Sequence, residues 1–174
     1  MLTTLSSSGQ AKFIPQLDAI GAIAYAGSND KKERPMQTYS ELGEAEARIA
    51  IDTCLAELRR RNKAATVAVG DRHGEVIALW KMDGASLPSA VIAVNKVFTS
   101  SRTRKPSGDV GRGTFADNAL MSYHGSDRYV GWDGGVAVLV GGECVGSVSI
   151  SGLAGEEDLE IAQMGVDAIL ASLS

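Results

Sequence analysis

Among 174 residues, the side chains best suited to moving protons are His124, Lys96 and Asp117. Histidine titrates nearest neutrality and is also a common iron ligand. Lysine and aspartate can serve beside it as general acids or bases. The chain has 2 histidines, and the other, His73, lies in Asp71-Arg72-His73-Gly74 between two alternating apolar runs. That position reads as a solvated hairpin turn, which leaves His124 as the histidine expected to act. Lys96 to Arg112 forms a second candidate feature. Five basic residues (Lys96, Arg102, Arg104, Lys105, Arg112) face one acid, Asp109, a local +4 in a chain whose net charge is −4. The planar guanidinium fork matches a carboxylate with two parallel hydrogen bonds. Arg102 and Arg112 are therefore expected to form the wall of an anion pocket, with Thr99 and Lys96 on the same side of a helix.

Residues 107–133 show no clear helical or strand period, and a loop of that length in a compact domain is usually functional or disordered. It carries Met121, Tyr123, His124 and Trp132, a mixture that can line an apolar pocket with a few polar handles. Gly134-Gly135 follows at the entry of a strand, where two exposed peptide N–H groups could hold an anion. Twelve of the 20 glycines fall between Gly108 and Gly155, as expected where backbone must turn or approach something closely. No GxxxxGK[ST] loop, GxSxG elbow, HExxH helix or CxxCH segment is present, which excludes the commonest signatures of NTPases, hydrolases, zinc proteases and covalent haem attachment. Cys54 and Cys144 stand ninety residues apart among apolar neighbours. They read as reduced, buried thiols, and no metal site is expected.

The elements that must position these residues follow from periodicity. Thr38-Tyr39-Ser40-Glu41 has the form of a capping box. It precedes a helical apolar spacing at Leu42, Ala45, Ile49, Ile51, Leu55 and Leu58, which ends in Arg59-Arg60-Arg61-Asn62-Lys63. Two strands follow, 66–70 and 75–82. From Leu87 the period is helical again, with Leu87, Val91, Val94 and Phe98 marking the apolar face and Ser86 a suitable cap. Lys96, Thr99, Ser100 and Arg102 lie on the other side. Strands at 135–140 and 143–151 flank Gly141-Gly142. A last helix begins near Glu156 and carries a stripe of Leu159, Ala162, Val166, Ile169 and Leu173. Hairpin-linked strands cannot all be parallel. The fold class is α+β, an antiparallel sheet with helices packed on it.

Composition agrees with one domain, since 44% hydrophobic and 22% charged residues are ordinary globular values. Residues 1–37 read as an N-terminal arm with a small apolar stretch at Ala19–Ala26, and 38–174 as the domain. A pI of 5.2 argues against nucleic acid as a partner. No apolar run approaches the roughly 20 residues of a membrane span, and the first residues do not resemble a secretory signal. A cytoplasmic location is expected.

Several blocks in order resemble the GlcG/HbpS haem-binding family. Lys81-Met82-Asp83-Gly84-Ala85, with Ser89, Ala93, Lys96 and Thr99, resembles its first signature. Gly134-Gly135-Val136 resembles its GGvP strand, with Ala137 where proline is usual. Gly142, Val145-Gly146, Ser149-Ile150-Ser151-Gly152 and then Asp158 resemble the last block. The resemblance covers roughly residues 38–172. It implies a profilin-like domain, assembly into homo-oligomers, and an apolar cleft beside the Lys96 helix. Members include haem binders, domains appended to cobalamin-related enzymes and small proteins of catabolic operons. A minority resembling p-hydroxylaminobenzoate lyase act on aromatic carboxylates without a cofactor.

Three functions are therefore open. In the first, haem or a similar planar anion is held by Arg102, Arg104 and Arg112 between Met121, Tyr123 and Trp132, with Tyr123 or His124 reaching the iron. The second is a cofactor-free lyase or hydratase of aromatic catabolism, in which His124 with Lys96 or Asp117 moves protons. The third is an oligomeric accessory protein with no small ligand.

Overall fold

The computed structural model describes residues 36–174. The expected arm and its Ala19–Ala26 stretch lie outside the described residues. Four strands, β1 Thr66–Asp71, β2 Val76–Lys81, β3 Gly135–Val140 and β4 Glu143–Ser151, form one antiparallel sheet in the order β2-β1-β4-β3. Four helices, α1 Glu44–Arg60, α2 Ser89–Thr103, α3 Ser107–Ala116 and α4 Gly155–Ser172, pack on it, together with a short 3-10 turn at Met121–His124. This is the α+β class expected from the alternating runs. Among the described residues no helix is long and apolar enough to cross a membrane.

Strand alternation gives the sheet two different faces. Val67, Val69, Val148 and Ile150 join Leu55 and Leu58 of α1 and Ile161 and Ile169 of α4 in the main core. Burying one such side chain contributes about 1.5–3 kcal/mol, so this face carries the fold. The other face is small and hydroxylated, and α2 lies against it. Ser147 and Ser149 of β4 donate to the helix carbonyls of Val97 (3.0 Å) and Ala93 (2.8 Å). Thr66 and Ser89 share a hydrogen bond of 2.7 Å across the same interface. A Cβ on Gly70 would come within 2.2 Å of Val97 Cγ1, so the helix sits close because the strand there has no side chain.

That interface overturns the expected orientation of α2. Leu87 and Val91 are 88% and 66% exposed, whereas Ser89, Ala93, Lys96 and Ser100 are buried. The hydroxyls of Ser89, Ser147 and Ser149 find carbonyl acceptors, which offsets the cost of burying them, whereas Ser100 Oγ has no hydrogen-bond partner among the described residues. The expectation that the most apolar stripe points inward then fails. Phe98 alone of that stripe is buried, held edge-on to Tyr129 with centroids 5.1 Å apart.

Two helix ends differ from expectation. The cap of α1 is Gly43, whose N–H is taken by the Glu46 carboxylate at 2.9 Å, and not Thr38. Residues 38–43 are non-helical because buried Leu42 is drawn to the sheet, where its N–H donates to Val145 O at 2.8 Å. In α4, Leu173 is 51% exposed, and Ile161 takes the core position that the expected stripe omitted.

The arginines ending α1 are used internally. Glu57 accepts from Arg60 and Arg61 at 2.6–2.7 Å, and Arg61 reaches Glu160 of α4 at 2.7 Å. The Arg60 and Arg61 hydrogen bonds lower the Glu57 pKa from 4.5 to about 2. A carboxyl whose folded pKa is depressed stabilises the fold above its unfolded pKa and loses that contribution as pH falls through the folded one. Stability should therefore decline between pH 4.5 and about 2. In urea melts across that range, Glu57→Gln should show a shallower decline than the parent chain.

Candidate functional site

Lys96 lies at the floor of a cleft of about 460 Å³ between α2, residues 131–133 and the start of α4. Trp132 and Ile92 are among its walls. The Lys96 ammonium donates to Ile150 O at 2.8 Å and to Asp158 Oδ2 at 2.9 Å, and both residues are nearly inaccessible. Asp158 Oδ1 in turn accepts the Leu153 N–H at 3.1 Å. Burial lowers the Lys96 pKa and raises that of Asp158, while each group as counter-ion opposes the other's shift. One ammonium proton goes to a carboxylate oxygen and a second to a carbonyl, while the other carboxylate oxygen accepts a peptide N–H, the partner set of an ionic pair. The pair ties α2, β4 and α4 together, and the ammonium has two acceptors already.

Gly134 and Gly135 allow that tie. Gly134 has φ +111°, and a Cβ there would lie 2.6 Å from Asp158 Cβ and 2.8 Å from Lys96 Nζ. A Cβ on Gly135 would lie 2.6 Å from Ser100 Oγ and 2.8 Å from Lys96 O. The Gly135 N–H donates to Ser107 Oγ at 3.0 Å and is not presented to a ligand. The glycine pair serves close approach rather than forming an open anion nest.

Residues 107–133, expected as an irregular loop, contain α3 and the 3-10 turn. The buried positions of α3, Ser107, Gly108, Val110, Gly111 and Thr114, have helical spacing but almost no apolar side chains, so hydrophobic period could not reveal them. Gly111 and Gly131 are in backbone contact, since a Cβ on Gly111 would stand 2.3 Å from Gly131 O. Thr99 fixes the segment from α2: its hydroxyl donates to Asn95 O (2.8 Å) and accepts the Val130 N–H (2.9 Å).

This arrangement makes a second cleft, about 380 Å³, whose lining includes Val110, Leu120, Tyr123, His124, Lys105 and Asp117. His124 Nε2 is 2.9 Å from Thr114 Oγ1. The Thr114 hydroxyl donates its one proton to Val110 O at 2.7 Å. Its oxygen therefore accepts from the ring, which assigns the proton to Nε2. In that tautomer the lone pair lies on Nδ1, which makes no hydrogen bond among the described residues. Tyr129 packs against the imidazole with centroids 5.1 Å apart and fixes its position.

The expected wall does not form as one surface. Arg112 is committed to Asp109 (2.7 Å) and Asp133 (3.0 Å). Arg102 lies 4.2 Å over the Phe98 ring and 3.6 Å from Glu75, on the far side of the α2 terminus. Trp132 lines the Lys96 cleft, and Tyr123 lines the His124 cleft. Met121 is half-buried, its sulfur 3.4 Å from where a Cβ on Gly131 would stand. His124 and Asp117 share a cleft, but Lys96 is not in it. Thr114 was missed: nothing in the sequence tells a threonine that orients a histidine from one that only bonds its own helix.

Residues 42–167 match the family described as haem degrading protein HbpS-like. The chain belongs to the HbpS-like family. Protein GlcG of Escherichia coli is 29% identical over 116 residues, 67% of this chain and 85% of that protein. Corrinoid adenosyltransferase PduO of Salmonella typhimurium is 30% identical over 105 residues, 59% of this chain, but the match spans only 31% of that enzyme. Klebsiella pneumoniae protein ORFY has the same fold, with a TM-score of 0.73 at 22% identity, covering 79% of this chain and 97% of the other. The PduOC:heme complex superposes with a TM-score of 0.67 at 23% identity over 74% and 94% of the two chains. In this HbpS-like domain the residues that carried the resemblance, Ser89, Ala93, Lys96, Gly134, Ser149 and Asp158, are the contacts holding α2 to the sheet and to α4.

Proposed function

We propose that this domain binds haem or a similar planar, anionic molecule in the cleft between α3, the 121–124 turn and the end of α2. The observation that carries this reading is the His124 ring, oriented by Thr114 through Nε2 and by Tyr129 across its face, with an unengaged Nδ1. A haem site needs a donor for iron, an apolar wall and a cation for the propionates. His124, the Val110 and Leu120 side chains, and Lys105 are those three parts on one cleft. A histidine held by its second nitrogen is the usual arrangement for a metal ligand. Bound haem would supply a redox-active iron. The chain's own part is to fix the imidazole and exclude water from the porphyrin face. Support also comes from relatives, since the family is described as haem degrading and a neighbouring structure is named as a heme complex.

A second reading rests on the same nitrogen. With Asp117 on the same cleft, Nδ1 could accept a proton from a small aromatic carboxylate anchored by Lys105, in a lyase or hydratase step without a cofactor. Titrating the purified chain with haemin should give a saturable Soret shift at one equivalent. No saturable shift, together with turnover of aromatic carboxylates, would replace the first reading by the second. Assembly into homo-oligomers belongs with this proposal, and light scattering at micromolar concentration reads it directly.

A further inference from the structure

Arg102 and Arg104, which the His124 cleft leaves unused, stand on a different one. A cleft of about 360 Å³ lies between the β1–β2 turn and the C-terminus of α2, lined by Arg72, His73, Arg102, Arg104, Tyr129 and Cys144. Three arginines and a histidine line it, from segments some thirty residues apart in the chain. Neither Arg72 nor Arg104 has a carboxylate within ion-pair distance among the described residues, and Arg72 rests 3.8 Å above the Tyr39 ring. Arg102 shares the single Glu75 carboxylate with Arg128, at 3.6 and 3.2 Å. The neighbouring acid Asp71 uses one carboxylate oxygen for the turn N–H groups of His73 and Glu75. Arg104 is held in the left-handed region, φ +57°, a conformation that non-glycine residues seldom adopt. Its N–H closes α2 on Ser100 O at 2.8 Å.

The lining therefore carries more positive than negative charge, which a bound anion would offset. Cys144 also lines the cleft; burial holds its thiol above the ordinary value, against lowering by the Gly146 backbone hydrogen bond, Arg104 and Arg72, with Glu143 acting the other way. The lining is mainly polar, with no apolar wall for a porphyrin.

The geometry points to a second ligand site at Arg72, His73, Arg102 and Arg104, for a small molecule bearing a multiply charged oxyanion of the phosphate type. Three forked donors can grip several oxygens of one phosphate group. A monocarboxylate would leave most of the charge unmatched. This site does not rest on the haem reading, because its residues line a different cleft.

Isothermal titration with inorganic pyrophosphate at low salt tests it. Saturable binding is expected, weakened about 10- to 100-fold by either Arg72→Gln or Arg104→Gln, the worth of a lost charge-assisted contact. Arg48→Gln, an exposed change on α1, should leave it unaltered. Benzoate should bind at least about 10-fold more weakly than pyrophosphate. Haemin titration of the Arg72→Gln/Arg104→Gln double variant should match that of the parent chain. Absence of pyrophosphate binding at millimolar concentration would overturn the proposal, as would equal affinity in the double variant or equal affinity for benzoate. Loss of haemin binding in that variant would also overturn it, by assigning the arginines to the other ligand.

Discussion

Lys96→Met should lower the unfolding free energy by about 3–5 kcal/mol, the usual result of leaving one partner of a buried ion pair without the other. Asp158 would then keep its Leu153 hydrogen bond but lose its counter-ion inside the protein. Asp158→Asn should cost a comparable amount, because the Lys96 ammonium would keep Ile150 O and only a neutral amide beside it. The double change Lys96→Met/Asp158→Leu should recover part of the loss, since an apolar pair of similar volume needs no solvation. Urea unfolding followed by circular dichroism measures all three. If Lys96 instead served as a catalytic base, Lys96→Met would leave the midpoint near that of the parent chain while abolishing turnover. An unshifted midpoint would therefore sink the structural assignment.

His124→Ala should shift the Soret band of the haemin complex and weaken binding by at least about 10- to 100-fold, the range found even for groups that only orient a metal ligand. Thr114→Val tests the orientation separately. It removes the acceptor that holds Nε2, so the spectrum should become mixed with a smaller loss of affinity. In the cofactor-free reading, the same His124→Ala change should lower kcat by about 10²- to 10⁴-fold with KM nearly constant. Running haemin titrations and aromatic carboxylate turnover on one preparation separates the two. An unchanged spectrum and an unchanged rate would remove His124 from the site.

Placing the basic residues shows why charge counting alone misassigned them. The cluster from Lys96 to Arg112 reads as one wall because its charges are close in sequence. Successive residues around the end of a helix point in different directions. Lys96 faces inward to Asp158, Arg102 and Arg104 face the β1–β2 turn, Lys105 reaches the His124 cleft, and Arg112 is neutralised by two carboxylates. One run of charge thus serves four environments.

The strands, the two long helices on the main core face and the antiparallel order were legible in the residues. Each depends on local alternation or on a 3–4 spacing of large apolar side chains. The resemblance added the signature around Lys96, Gly134 and Asp158 without saying what those residues touch. Tertiary structure alone decided the rest. α3 is invisible to periodicity, because its buried face is glycine, serine and threonine closing on the Gly131 backbone. The orientation of α2 depends on Ser147 and Ser149, some fifty residues away, supplying hydroxyls to its carbonyls. The Lys96–Asp158 pair and the Thr114–His124 contact are likewise set by which backbones come together. A local pattern reports the surface a segment would bury by itself, whereas hydrogen-bonded polar packing is a property of two segments at once.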